Sequence, residues 1–172
     1  MNKIINQKGA GLIEVLVSLL ILSVCVLGFT ALQLRAFEAT HEGVYRVQAI
    51  NLARDVSERI RSNRNGLAKY KEEIKAADKQ QDFTKNCYTD LCSRNELADF
   101  DVSQVRKTAD SLGMTFNLLP CQGQDAKPAA SRRECVYVAW NDTSATDGSD
   151  TTACTKGTSY RKDSQCIILE AY

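Results

Sequence analysis

Histidine is nearly absent from this chain, with His41 alone among 172 residues, and proline occurs only twice. The single histidine argues against a zinc centre of mixed cysteine and histidine ligands and against a cysteine–histidine enzyme. Neither proline falls within residues 10–62, so nothing there breaks a long helix. No glycine-rich phosphate loop, no H-E-x-x-H and no nucleophile elbow occurs. Formal net charge is only +1, which leaves no broad electrostatic footprint for nucleic acid or an anionic membrane surface. The basic groups Arg59, Arg61 and Arg64, and Arg132 and Arg133, read as solvated surface charge. The expectation is a chain that is not an enzyme, carries no cofactor or metal and has no direct nucleic-acid site.

Charge is also missing from Val15 to Leu34. That run of about 20 residues makes a helix of about 30 Å, enough to cross a bilayer core. It follows a short basic leader, MNKIINQKG, with Lys3 and Lys8. A secretory signal has a shorter apolar stretch and an A-x-A-like cleavage site, and no such site closes this run. The two lysines predict a cytoplasmic N-terminus. One acid, Glu14, stands just inside the N-terminal edge of the span. An acid at the centre of a membrane helix costs about 3 kcal/mol and less near the edge, so such a residue usually has a partner and a role.

Gly9 precedes Ala10-Gly11-Leu12-Ile13-Glu14 and then the apolar helix. This pattern resembles the class III leader of type IV prepilins and type II secretion pseudopilins. The resemblance implies that a prepilin peptidase cuts between Gly9 and Ala10 and methylates the amine of Ala10. It also implies that Glu14, fifth in the mature chain, pairs with the N-terminal amine of a neighbouring subunit and sets the register between them. Ala10 departs from the phenylalanine most common at that place. Opposite charges in apolar surroundings attract more strongly than in water, and leaving either one unpaired is costly.

Beyond the span the sequence turns polar but keeps helical spacing. Tyr45, Ala49, Leu52, Val56 and Ile60 form one apolar stripe, and Asn63-Arg64-Asn65-Gly66 supplies a stop. One helix of about 50 residues, roughly 80 Å long, is predicted. Its stretch Asn51 to Gly66 resembles the end of the long helix in PilV-type minor pilins, with Arg59, Arg61 and Asn63 matching an Arg-x-Arg-x-Asn ending. The negative end of a helix dipole is a sufficient physical reason for those arginines. Leu67 to Gln80, with Leu67, Tyr70, Ile74 and Ala77 at helical spacing, predicts a short exposed helix. Ser93-Arg94-Asn95-Glu96 is a capping-box pattern, and Gly113 a C-terminal cap, for a second helix carrying Ala98, Val102, Val105, Ala109 and Leu112.

After Gly113 the period changes to two. Met114 to Leu118, Cys135 to Trp140 and Cys166 to Tyr172 predict three strands. The strand closing in Trp140-Asn141-Asp142 also resembles the PilV-type pattern. The polar run Asn141 to Gln165 reads as a long surface loop. Its residues 141–151 lack the regular ligand spacing of a calcium loop.

Cys25 lies in the span and behaves there as a small hydrophobe. The other six cysteines follow the anchor, on the side expected to be oxidising, where disulfides are the default. Zinc would compete, but the spacings lack paired C-x-x-C units. Many connectivities are open to six cysteines. The nearest-neighbour pairing, Cys87–Cys92, Cys121–Cys135 and Cys154–Cys166, is the one expected, each pair closing a loop in the least regular part of the chain.

The expectation is therefore an α+β, type IV pilin-like fold, with a long N-terminal helix packed on a small antiparallel, disulfide-stapled sheet. Residues 1–9 form the leader, 10–34 the transmembrane half of the helix, 35–63 its amphipathic half and 64–172 a periplasmic globular domain. The resemblance implies a minor pilin in a Gram-negative inner membrane, working in pilus assembly and hence in twitching motility, adhesion or DNA uptake. Its partners would be the prepilin peptidase, other minor pilins, the major pilin and a tip adhesin. The alternatives are a minor pseudopilin of type II secretion, or an anchored periplasmic adhesin or binding protein that never polymerises.

Overall fold

The computed structural model describes residues 11–76, 80–124, 127–128 and 131–171. Helix α1 runs from Leu12 to Ser62, followed by a 3₁₀ turn at Arg64–Gly66, α2 at Leu67–Lys75 and α3 at Arg94–Ser111. The strands are β1 (Met114–Pro120), β2 (Glu134–Trp140), β3 (Ser144–Asp147), β4 (Ala153–Lys156), β5 (Ser159–Tyr160) and β6 (Cys166–Glu170). The chain divides into two compact units, residues 1–43 and 44–172.

In the first unit the described residues are the N-terminal part of α1. Its apolar side chains are exposed, from Leu12 through Leu34 and on to Phe37.

The second unit is built around β2. Antiparallel pairing joins β1 to β2 and β2 to β6, with Phe116 opposite Val138 and Val138 opposite Ile167. Every residue of β2 is buried, and alternate side chains serve different cores because successive Cβ atoms point to opposite faces. Val136, Val138 and Trp140 join Leu52, Val56 and Ile60 of α1, Tyr70 and Ile74 of α2, and Val102 and Val105 of α3. Cys135, Tyr137 and Ala139 join Cys121, Ala145, Cys154 and Cys166 on the other face. The unit therefore has three layers: helices, the β1–β2–β6 sheet and a small β3–β4–β5 sheet.

The apolar stripe of α1 makes the helical side of this core. Ala49, Leu52, Val56 and Ile60 are buried, and the Tyr45 ring stacks on Trp140 with centroids 6.3 Å apart. The capping box that opens α3 is present: Ser93 accepts from the Glu96 N–H and Glu96 accepts from the Ser93 N–H. Gly113 takes φ +66° beyond the end of α3, a conformation that suits glycine.

Two local readings of the sequence need correction. The helix at Leu67–Lys75 is not an exposed one: Tyr70, Glu73 and Ile74 are buried, because it closes the end of the core under α3. Ala77 lies outside the described residues. The stretch Asn141 to Gln165 is not a plain loop. It holds β3, β4 and β5, and β3 runs parallel to β4, so a second, mixed sheet accompanies the antiparallel one. These strands are two to four residues long and pair mainly through backbone and polar side chains. The Asp147 carboxylate accepts from the Thr155 hydroxyl at 2.8 Å and from the Gly157 N–H at 2.9 Å. No apolar alternation announces such strands.

Three disulfides staple the second unit: Cys87–Cys92, Cys121–Cys135 and Cys154–Cys166. The second ties the chain after β1 to β2. The third ties β4 to β6, and so the small sheet to the large one. Cys25 is a free, exposed thiol.

Candidate assembly surface

Helix α1 starts without a protein core around it. Gly11 O accepts from the N–H groups of Glu14 at 2.9 Å and Val15 at 3.3 Å, closing the first turn. Glu14 is the acid of that turn and is exposed, so the positive end of the helix dipole favours it. Gly9 and Ala10 lie outside the described residues, as do Lys3 and Lys8.

From Glu14 to Leu34 the helix presents apolar side chains on all sides. Leu16, Leu20 and Leu27 are each more than half exposed. Fully burying one such side chain is worth about 1.5–3 kcal/mol, so this surface calls for lipid or other apolar helices around it. Its three hydroxyls are satisfied within the helix. The hydroxyls of Ser18, Ser23 and Thr30 donate to the carbonyls of Val15, Leu20 and Leu27 at 2.9, 2.7 and 2.9 Å. That matters in lipid, where no water replaces a missing hydrogen bond. The helix is long and apolar enough to cross a membrane. Charged pairs begin at Arg35, whose guanidinium lies 3.5 Å from Glu38.

At the other end of α1 the Arg-x-Arg-x-Asn ending does more than meet the helix dipole. Arg59 Nε donates to Asp55 at 2.9 Å and Nη1 to Asp101 on α3 at 2.7 Å. Arg61 Nε donates to the Ala171 carbonyl at 3.1 Å. Asn63 Nδ2 donates to the Arg94 carbonyl at 2.7 Å, between α1 and the start of α3. Gly66 is needed beneath it, since a Cβ there would lie 2.6 Å from Asn63 Nδ2 and 3.0 Å from Arg94 O. The dipole argument is therefore incomplete, because each of the three side chains has a distant partner.

Tyr70 completes this junction by donating its hydroxyl to Asp101. Burial, reinforced by the Asp101 carboxylate, raises the phenol above its usual range and holds it protonated. For Arg59 burial opposes the charge, but the hydrogen bonds to Asp55 and Asp101 outweigh it and raise its pKa. No sequence signal marks Asp101 or Tyr70 for this junction. Their partner Arg59 is distant in sequence, and an acid at a buried helix position looks like an error until that partner is known. The same holds for Glu134, which is buried at the start of β2 with Lys71 Nζ at 2.5 Å.

Two families match parts of this chain. Residues 4–30 match the prokaryotic N-terminal methylation motif. Residues 31–103 match the Tt1218-like family, described as type IV pilin Tt1218. Together the two matches span residues 4–103. The matched residues take in all of α1 and α2 and the first half of α3, including Glu14, Arg59, Asn63 and Asp101, and stop before β1. No curated protein and no solved structure matches the chain. Among the described residues no group of three or more His, Cys, Asp or Glu is placed to hold a metal ion.

Proposed function

We propose that this chain is a minor pilin of the PilV type, acting in the priming or tip complex of a type IV pilus. The observation that carries the reading is the methylation motif running directly into an apolar helix with Glu14 in its first turn. That motif implies processing by a prepilin peptidase and assembly with other pilins. The cut falls between Gly9 and Ala10, and Ala10 receives the methyl group. The processed chain waits in the inner membrane as a single span with its head in the periplasm. Lys3 and Lys8 on one side of the span, and three disulfides on the other, support that orientation.

In the growing fibre, contacts between apolar helices replace contacts with lipid. A helix that carries no core of its own in residues 12–34 is suited to the exchange. Glu14 is the one acid in that surface, and its pairing with the amine of a neighbouring subunit selects the stagger. The polymer built this way supports twitching, adhesion or DNA uptake, with the major pilin, other minor pilins and a tip adhesin as partners.

Mass analysis of the N-terminus, on chain taken from its own membrane and from sheared fibres, tests the reading. A chain beginning at methylated Ala10, with Glu14→Ala cleaved but missing from fibres, is the expected result. A chain beginning at Met1 overturns it and leaves an anchored periplasmic protein. Loss of secretion with intact pili on deletion of the gene assigns the chain to a type II secretion pseudopilus instead.

A further inference from the structure

The β1–β2–β6 sheet has two edges, and they are finished differently. The Trp140 N–H donates to the Gln165 carbonyl and the Ala171 N–H to the Glu134 carbonyl. Bonds in an antiparallel pair fall on alternate residues, so Ile167 and Leu169 bond β2, and Cys166, Ile168 and Glu170 turn their N–H and C=O groups away from it. On the other side the Cys121 N–H donates to the Arg133 carbonyl. The same alternation turns Met114, Phe116, Leu118 and Pro120 outward. That edge is closed. Met114, Phe116 and Leu118 are buried, the Leu118 N–H is taken by Asn117 Oδ1 at 2.9 Å, and Pro120 has no N–H to offer.

The β6 edge is open. Its sequence, CIILE, holds neither proline nor lysine, the residues that most often blunt an edge strand. Ile167, Ile168 and Leu169 are half-buried and Glu170 is exposed. Among the described residues nothing bonds the N–H or C=O of Ile168. Ile167 and Leu169 border the core under the helices, and Ile168 borders the core on the opposite face. Apolar surface therefore flanks the unpaired backbone on both faces. Glu170 is already paired with Arg133 at 2.7 Å, so charge does not choose the partner here. A row of free N–H and C=O groups does, and its complement is extended backbone.

The direction of β6 narrows the occupant further. Tyr45 stacks on Trp140, whose N–H bonds Gln165 at the start of β6. Arg61, sixteen residues on, bonds Ala171 just past the end of β6. Strand β6 thus runs in the same sense as residues 45–61 of α1. Antiparallel pairing of two β6 strands would reverse α1 of one copy against that of the other. Two copies anchored in one membrane would then have to enter their globular units from opposite ends. We infer that the β6 edge takes an extended apolar strand from a different pilin of the priming complex, running antiparallel to β6. Its backbone bonds the N–H and C=O of Ile168, and its side chains lie beside Ile167, Ile168 and Leu169. This contact rests on the assembly proposed above and joins globular units where the apolar helices do not reach.

The test uses the full-length chain in its own membrane, with Glu170→benzoylphenylalanine as a photoreactive probe at the open edge and Thr115→benzoylphenylalanine at the closed one. Adducts are sequenced by mass spectrometry. The probe at position 170 is expected to join a strand segment of another pilin, and the probe at 115 is not. Ile168→Pro deletes the outward N–H without touching a bond to β2, and is expected to lower the adduct about tenfold, while Ile168→Val leaves it unchanged. Amide exchange needs no substitution: the Ile168 N–H of the purified wild-type chain should exchange faster than those of Ile167 and Leu169, and should become protected in sheared fibres. Fast exchange at Ile168 in fibres overturns the docking. So do adducts found only on a second copy of this chain or on proteins that are not pilins. Either result in a chain that begins at methylated Ala10 leaves the pilin reading intact. A strand adduct in a chain that still begins at Met1 leaves the docking standing and overturns the pilin reading.

Discussion

Two stretches of one helix differ in almost every respect that matters for function. Residues 12–34 are apolar on every side and exposed, with hydroxyls turned back on their own carbonyls. Residues 44–62 bury one face against α2, α3 and β2 and leave Arg46, Asn51, Arg54 and Glu58 exposed on the other. The first stretch contributes nothing to the stability of the globular unit and everything to where the chain resides. The second is part of the fold. A continuous helix thus need not be a continuous structural element in the energetic sense; which residues can be changed freely depends on what surrounds them.

The largest effect should come from the same substitution made in each stretch. Leu52→Ala leaves a hole in a packed core and is expected to cost the globular unit about 2–5 kcal/mol. Leu20→Ala is expected to leave its unfolding unchanged. Thermal unfolding of both full-length variants in the same detergent checks this, and equal losses would end the distinction.

The stapled loops offer a second contrast. Cys154 and Cys166 are 12 residues apart, and Cys87 and Cys92 are 5 apart. Replacing the first pair with serine is expected to cost about 3 kcal/mol, and the second pair less, since the shorter loop has less freedom to lose. Denaturant unfolding ranks them. The ranking also asks whether the small sheet, which has little apolar surface, depends on its bond to β6.

The junction at the end of α1 comes next. Arg59→Met is expected to cost about 1.5–3 kcal/mol, because Asp101 keeps its place with one charged hydrogen bond gone. Alkali probes the same group from the other side. The phenol of Tyr70 has a raised pKa in the fold, so its contribution is intact below the ordinary value of 10.0 and is lost as pH rises past it. The wild-type chain should therefore lose stability above about pH 10 more steeply than Tyr70→Phe, as followed by denaturation midpoints across pH. Smallest of all, Ser93→Ala removes the cap of α3 and is expected to cost about 1 kcal/mol, with no loss of fibre incorporation.

Much of the architecture was legible in the residues, for identifiable reasons. The charge-free run, the stripe from Tyr45 to Ile60, the S-x-x-E box at Ser93 and the change of period after Gly113 are local patterns, and local sterics and solvation act on them directly. The small sheet was not legible. Ser144, Thr155 and Ser159 have no alternation to read, and their strands exist because Asp147 and the Cys154–Cys166 bond hold them against Tyr137 and Ala139. The junction was half legible: Arg59, Arg61 and Asn63 stood out as a pattern, but Asp101, Ala171 and Arg94, which give that pattern its meaning, did not.

By itself, then, the sequence determined the membrane-compatible apolar stretch, its lone acid and the methylation motif that contains it, since these follow from composition over consecutive residues. Tertiary structure alone decided which carboxylates answer which arginines and which face of β2 each core occupies. Those relations join residues far apart along the chain. Their energies depend on distance and burial, and neither exists until the fold has formed.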